Sequence, residues 1–267
     1  MKRTYLNEFL YQVFALIVAV IIVHSFYVIS VRPNATEDLA AQALSIQEDA
    51  NYTPERSPWV LIRDFEQEAC FVLMLWAFAI MGYKGFVAVT ERSLLQRELL
   101  SVRDGVRILP EDTREYARAI QSLPDKLKDM LLPRVLLSSL ERFGSTSNVQ
   151  DVSSVANSLC ESEGDRLESE LSMIRYIAWA IPSVGFIGTV RGIGQALGEA
   201  YRAVEGDIAG VTENLGIAFN STFIALLISI VVMFLVHQLQ HLQERLVFDA
   251  QTYVDHNLIR HMQSRRG

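Results

Sequence analysis

Four apolar windows decide what this chain can fold into. They cover residues 10–31, 69–90, 173–198 and 214–237. An α-helix needs about 20 residues to cross a bilayer, and each window is long enough. Since 50% of all residues are hydrophobic while 21% are charged, the apolar residues are concentrated in these blocks. The sequence therefore predicts an all-α, polytopic membrane protein with four transmembrane helices.

The positions of Lys and Arg indicate how these spans are oriented. Residues 91–172 are rich in both, whereas the segment from Pro33 to Glu68 carries only Arg56 and Arg63. Short cytoplasmic loops carry an excess of positive charge. We therefore expect the N-terminus, a helical domain, and a C-terminal helix to be cytoplasmic, at residues 1–9, 91–172 and 238–267. We expect two periplasmic segments, at residues 32–68 and 199–213.

Several common functions are not indicated by the residues. The basic start and apolar run before Arg32 favour a retained anchor over a cleaved signal peptide, because no cleavage pattern follows it. No Gly-rich loop ends in Lys-Ser or Lys-Thr, so we expect no nucleotide hydrolysis and no enzyme. His237 and His241 lack a third ligand, so we expect no metal. We also expect no disulfide between Cys70 and Cys160, and no organic cofactor.

The third window contains a proline and five glycines, three of which follow a regular pattern. Pro182 removes one backbone hydrogen bond, which only protein groups or trapped water can replace inside a bilayer. Gly185, Gly188 and Gly192 lie on one helix face, where a neighbouring helix can approach closely. Ordinary tight helix packing explains the glycines, but it does not require the hydroxyl of Thr189.

The fourth window carries a polar cluster, Asn220, Ser221 and Thr222, at a depth comparable with that of Thr189. Each hydroxyl has two interpretations. It can bond back to the carbonyl four residues earlier, which we favour for Ser229. Alternatively, Thr189 and Thr222 line a narrow ion path and replace part of the hydration shell of an ion.

Two of these segments resemble the MotA/TolQ/ExbB proton channel family. The run from Pro182 to Ile193 resembles the Pro-x-x-Gly-x-x-Gly-Thr-x-x-Gly core of the penultimate helix in that family. The run from Ala218 to Ala225 resembles the last helix, whose threonine faces the pore. The resemblance covers the chain from about Glu91 onward, and four spans with both termini inside look more like MotA than like ExbB or TolQ.

The resemblance implies an assembly and a mechanism. In this family, five subunits form a ring around two membrane helices of a partner, whose aspartate carries the ion. It thus implies a homo-pentamer in the bacterial inner membrane that surrounds a dimer of a one-span ExbD/TolR/MotB-like protein. The transported species is a proton or a sodium ion, and no nucleic acid is bound. Independently, none of the four windows contains Asp or Glu, although a proton relay ordinarily needs an ionisable carrier.

The chain also departs from the family pattern. Ile217 stands where ExbB and TolQ carry a glutamate, Val231 stands in place of a proline, and Arg191 stands in place of a tryptophan. We interpret Arg191 in one of two ways. Its side chain extends to the membrane surface, or it tunes the outer mouth of the path or pairs with a carboxylate of the partner protein. We expect Lys84 to reach out to the membrane surface as well.

Three functional hypotheses remain open. The first is a ring subunit of an ion-driven rotary motor or stator, with Thr189, Thr222, Ser221 and Asn220 in the ion path. The second is a structural or sensory scaffold of the same fold without ion flow. The third is a stand-alone channel or transporter, which is disfavoured because the sequence has neither an inverted repeat nor an intramembrane carboxylate.

Overall fold

The part of the chain that the structure describes folds mainly into helices. The computed structural model describes residues 2–48, 57–97, 99–100 and 106–263. Among these residues there is no β-strand, and the only extended pairing is a single bridge between Ile108 and Met262. The predicted all-α class is therefore confirmed.

Eleven α-helices are formed by the described residues. They are α1 (Lys2–Phe26), α2 (Arg32–Glu48), α3 (Pro58–Leu61), α4 (Phe65–Leu95), α5 (Thr113–Gln121), α6 (Asp125–Lys128), α7 (Leu131–Thr146), α8 (Val149–Glu170), α9 (Ser172–Gly198), α10 (Ala200–Val204) and α11 (Ala209–Asn257).

Four helical stretches are long and apolar enough to cross a membrane, as the sequence predicts. They are Asn7–Ser45, Phe65–Leu95, Val149–Gly198 and Ala209–His261. Only 22–33% of the residues in their most apolar windows are buried within the chain. Apolar side chains that remain exposed on this scale are suited to contact with lipid. The chain is thus a multi-pass membrane protein.

The first of these stretches is continuous through a π-helical turn, Tyr27–Val31, that joins α1 to α2. Within the turn the Arg32 N–H donates to the Tyr27 carbonyl, five residues earlier. Pro33, which has no N–H to donate, follows directly. The helix continues through this turn to Glu48, beyond the end of the apolar window at residue 31.

The helices divide into two compact units. The first unit contains the described residues of 1–82 and 173–236. In it, Tyr27 and Val31 are buried against Phe71 and Val72 of α4. Two side chains also tie α1 to α4, since the Tyr11 hydroxyl donates to Ala79 O at 3.0 Å and the Trp76 indole donates to Gln12 O at 2.9 Å. This unit holds most of the predicted functional residues.

The second unit contains the described residues of 83–172 and 237–267. Its core is formed where α7 packs against α5 and α8, with Phe143, Leu136 and Val152 fully buried. The C-terminal part of α11 adds Ala250 and Val254 to the same core. Apolar residues at helical spacing thus give this part of the chain a hydrophobic core of its own.

Lys84 is buried in the second unit, contrary to the expectation that it reaches the membrane surface. Its side chain is 5% exposed, and its ammonium group lies 2.8 Å from a carboxylate oxygen of Glu170 on α8. Arg166 contacts the other oxygen of Glu170 at 3.4 Å. A carboxylate 86 positions away in the sequence therefore compensates the charge of Lys84.

We expect Glu170→Gln to lower the free energy of unfolding by about 1–3 kcal/mol, because a buried ammonium loses its carboxylate partner. Thermal unfolding in detergent or nanodiscs measures the effect. Glu161→Gln, an exposed change on the same helix, is the matched control. Equal unfolding temperatures for the two variants would contradict the role of this ion pair.

Candidate functional site

Helices α9 and α11 approach each other closely in the first unit because glycines line one face of α9. Gly185, Gly188 and Gly192 are all buried. A methyl group added at Gly192 would lie 2.7 Å from the Asn214 carbonyl oxygen and 2.8 Å from the Ala218 nitrogen. These distances are shorter than non-bonded contacts allow, so the helices can meet here only without side chains on α9.

The close approach brings Thr189 and Thr222 into direct contact. Their hydroxyl oxygens touch, and each also reaches a carbonyl of the other helix. Thr189 Oγ1 donates to Ala218 O at 3.0 Å, and Thr222 Oγ1 donates to Gly185 O at 3.1 Å. Both side chains are partly buried. The structure thus joins the two threonines in one polar cluster across the helix contact.

This cluster has more oxygen contacts than hydroxyl protons. A threonine hydroxyl supplies one proton and two lone pairs. The two hydroxyls have four contacts: one with each other, one from Thr222 to Gly185 O, and two from Thr189, to Ala218 O and, at 3.4 Å, to Gly185 O. Two protons cannot serve all four contacts. Such a surplus of lone pairs is suited to a cation or to a hydrogen-bond donor.

Asn220 and Ser221 differ from the two threonines. The Ser221 hydroxyl bonds back to Ile217 O at 2.9 Å, and its side chain is buried against Gly188. Asn220 is partly exposed, and its side chain makes no hydrogen bond to the part of the chain that the structure describes. Of the four predicted ion-path residues, the structure brings Thr189 and Thr222 together and gives Ser221 a packing contact.

Ser229 replaces the hydrogen bond that Pro182 removes. A proline at position 182 leaves Ala178 O without its helical donor, because proline has no N–H. The Ser229 hydroxyl of α11 donates to this same Ala178 O at 3.4 Å. The expected bond from Ser229 back along its own helix is therefore wrong. The hydroxyl instead satisfies a carbonyl of the neighbouring helix, which the hydrocarbon of a membrane cannot do.

Arg191 forms an ion pair with Glu66, which stands in the first turn of α4. The Arg191 Nε lies 2.6 Å from Glu66 Oε1, and Nη2 lies 2.7 Å from Oε2. Two parallel charge-assisted hydrogen bonds of this kind are the strongest arrangement of the two groups. The carboxylate partner of Arg191 thus comes from the chain itself, which sequence reasoning missed.

Further ion pairs surround the start of α4. Glu68 accepts from Arg32 at 2.5 Å and contacts His24 at 2.7 Å. Arg63 contacts Glu213 at 2.8 Å. The alternation of acidic residues at positions 64, 66 and 68 was the available signal in the sequence. It does not reveal the basic partners, because these lie on other helices.

Asp64 lies beside this network with only distant partners. Its Oδ1 is 3.9 Å from Arg63 and 4.0 Å from Arg191, and its Oδ2 is buried without a hydrogen bond. Burial raises the pKa of Asp64 above its ordinary value, although Arg63 and Arg191 oppose the shift.

The family relationship of this region rests on a sequence comparison. Residues 128–252 match the sequence model of the MotA/TolQ/ExbB proton channel family. The chain carries a MotA/TolQ/ExbB domain. No curated protein and no solved structure matches the chain. The predicted resemblance to this family is confirmed for residues 128–252, which is a shorter stretch than the one expected from Glu91 onward.

The MotA/TolQ/ExbB domain includes the helix contact but not all of its surroundings. It contains α9 and most of α11, and with them Thr189, Thr222 and Arg191. Glu66 and the rest of α4 lie outside it. The bidentate partner of Arg191 thus comes from a part of the chain that the family match does not cover.

We expect Gly185→Ala to destabilise the chain by roughly 1–3 kcal/mol, because the added methyl group would collide with Ala225 and the α11 backbone. Gly194→Ala is the matched control on the same helix, since no described residue outside its own stretch of helix lies within 4 Å of its added methyl group. Thermal unfolding in detergent compares the two. Equal stability would contradict the close approach of α9 and α11.

The folded chain holds the proton of Asp64 more tightly than the unfolded chain does, because the pKa of Asp64 is raised in the fold. We therefore expect the contribution of Asp64 to stability to fall as the pH rises from its ordinary pKa to its raised pKa. Asp64→Asn should remove this part of the pH dependence and be at least as stable at neutral pH. Unfolding temperatures measured from acidic to neutral pH test this, with exposed Asp129→Asn as the control. A less stable Asp64→Asn at neutral pH would show that its ionised form is favoured.

Proposed function

We propose that the chain is the ring subunit of an ion-driven rotary motor or stator, which couples proton or sodium flow to mechanical work. The observation that supports this most is the hydroxyl cluster of Thr189 and Thr222, between two helices of a MotA/TolQ/ExbB domain. Its unpaired lone pairs are suited to a cation or a hydronium ion. We propose no enzymatic role for it.

The proposed assembly is a homo-pentamer around a dimer of a one-span ExbD/TolR/MotB-like partner. Hydroxyl groups do not exchange protons readily near neutral pH, so a proton pathway needs a carboxylate or another ionisable carrier. The apolar windows of the chain contain neither Asp nor Glu. In the proposal, a membrane aspartate of the partner carries the ion past the two threonines.

The proposed location is the bacterial inner membrane, with both termini and the second unit in the cytoplasm. The distribution of Lys and Arg supports this, because residues 91–172 are far richer in them than Pro33 to Glu68. In this orientation the ion pairs at the start of α4 are at the periplasmic end of the span. Ions enter the path from that side.

A scaffold of the same fold without ion flow is the second candidate. Two observations favour it. Every hydroxyl of the Thr189 and Thr222 pair has an acceptor within the chain, so the pair also serves as an interhelical lock. In addition, Ile217 occupies the position of a glutamate in the ExbB and TolQ pattern.

Thr222→Val distinguishes the two candidates, because valine keeps the shape of threonine and removes its hydroxyl. We expect ion flux to fall by roughly tenfold or more. Flux is measured in vesicles from the native cell, where any partner is present, against vesicles from cells that lack the chain. Ser145→Ala, at an exposed serine outside the contact, is the control. Unchanged flux in Thr222→Val at matched protein levels would contradict the ion path and favour the scaffold.

A further inference from the structure

Arg191 places a positive charge near the α9–α11 contact that holds the proposed ion path. It stands three residues after Gly188 and one before Gly192, both of which pack against α11, and the resembling family has a tryptophan at this position. Its side chain lies on the other side of α9 from Thr189, toward Glu66 of α4. A fixed cation close to a cation path raises the energy of each ion that approaches, and the effect is strong where little water screens it. The arrangement of charges around Arg191 therefore bears directly on whether ions can pass.

Glu66 reaches Arg191 through the gap that the glycines of α9 leave open. A methyl group added at Gly188 would lie 3.1 Å from Glu66 Cγ, and it would also collide with Ser221. The side chain of Glu66 thus lies against α9 beside its contact with α11. The side chain is 11% exposed, and Arg191 is 34% exposed, so the pair is only partly screened by solvent.

The other charges near this pair have different partners or are more distant. Asp64 is 4.0 Å from Arg191, whereas both Glu66 oxygens are within 2.7 Å. Arg63 contacts Glu213, and Arg32 contacts Glu68. The carboxylate of Glu66 is therefore the main compensation for the charge of Arg191.

We propose that Glu66 is a positioning residue of the ion path, which neutralises Arg191 near the hydroxyl cluster so that a cation can approach the cluster. This inference rests on the proposed function. It assigns a role in ion passage to α4, a helix outside the MotA/TolQ/ExbB domain. Glu66 acts through Arg191 and does not itself bind the ion.

The experiment compares the two variants that break the same ion pair. Glu66→Gln leaves the guanidinium uncompensated, so cation flux should fall by roughly tenfold or more. Arg191→Gln leaves a carboxylate, which attracts cations, so flux should equal or exceed that of the wild type. If the pair has a purely structural role, cation flux should fall in both variants.

Two further variants complete the series. Glu66→Gln/Arg191→Gln removes both charges and should restore most of the flux that Glu66→Gln loses. Glu205→Gln changes the net charge equally at an exposed position and should leave flux unchanged. All are measured in vesicles from the native cell at matched protein levels.

The outcomes separate this inference from the proposed function. Reduced flux in Arg191→Gln, or a double variant as slow as Glu66→Gln, would overturn the charge-compensating role. If Glu66→Gln does not accumulate, Arg191→Gln still decides, because only charge compensation predicts undiminished flux. If Thr222→Val lowers flux and Glu66→Gln does not, this inference fails and the proposed function stands. If Thr222→Val leaves ion flux unchanged, the proposed function itself is contradicted, and this inference with it.

Discussion

The close contact between α9 and α11 is the constraint on which the candidate site depends. Three glycines remove the side chains that would otherwise hold the helices apart, so that backbone carbonyls of each helix come within hydrogen-bond distance of threonine hydroxyls of the other. Thr189, Thr222 and Ser229 each donate to a carbonyl of the opposite helix. The threonine cluster and the bond from Ser229 to Ala178 O are consequences of the same approach.

The charges at the start of α4 complete the site from a different part of the chain. Glu66 extends along α9 at Gly188 and pairs with Arg191, while Glu68 and Arg63 hold partners on other elements. A partly exposed surface pair would contribute little to stability. Here both guanidinium hydrogen bonds are short and Glu66 is largely buried, so the pair holds α4 against α9 and compensates the charge of Arg191.

The sequence predicts the parts of this structure that local patterns carry. Apolar windows predict the four spans, and the glycine spacing on α9 predicts a close helix contact near Thr189. The partners of Arg191, Lys84 and Ser229 were not predictable, because they are 125, 86 and 51 positions away and leave no periodic signal. The π-helical turn at Tyr27–Val31 was missed for a related reason, since the apolar window ends there while the helix continues.

The accessibility of position 222 to water tests the central claim most directly. Cysteine is introduced there, and in a separate chain at Ile230, which is 67% exposed on the apolar surface of α11. Both chains carry alanine at Cys70 and Cys160, and vesicles from the native cell are treated with a small cationic thiosulfonate. The ion-path account predicts that Thr222→Cys reacts and that Ile230→Cys, which faces lipid, does not. A cysteine at position 222 as unreactive as the one at position 230 would contradict it.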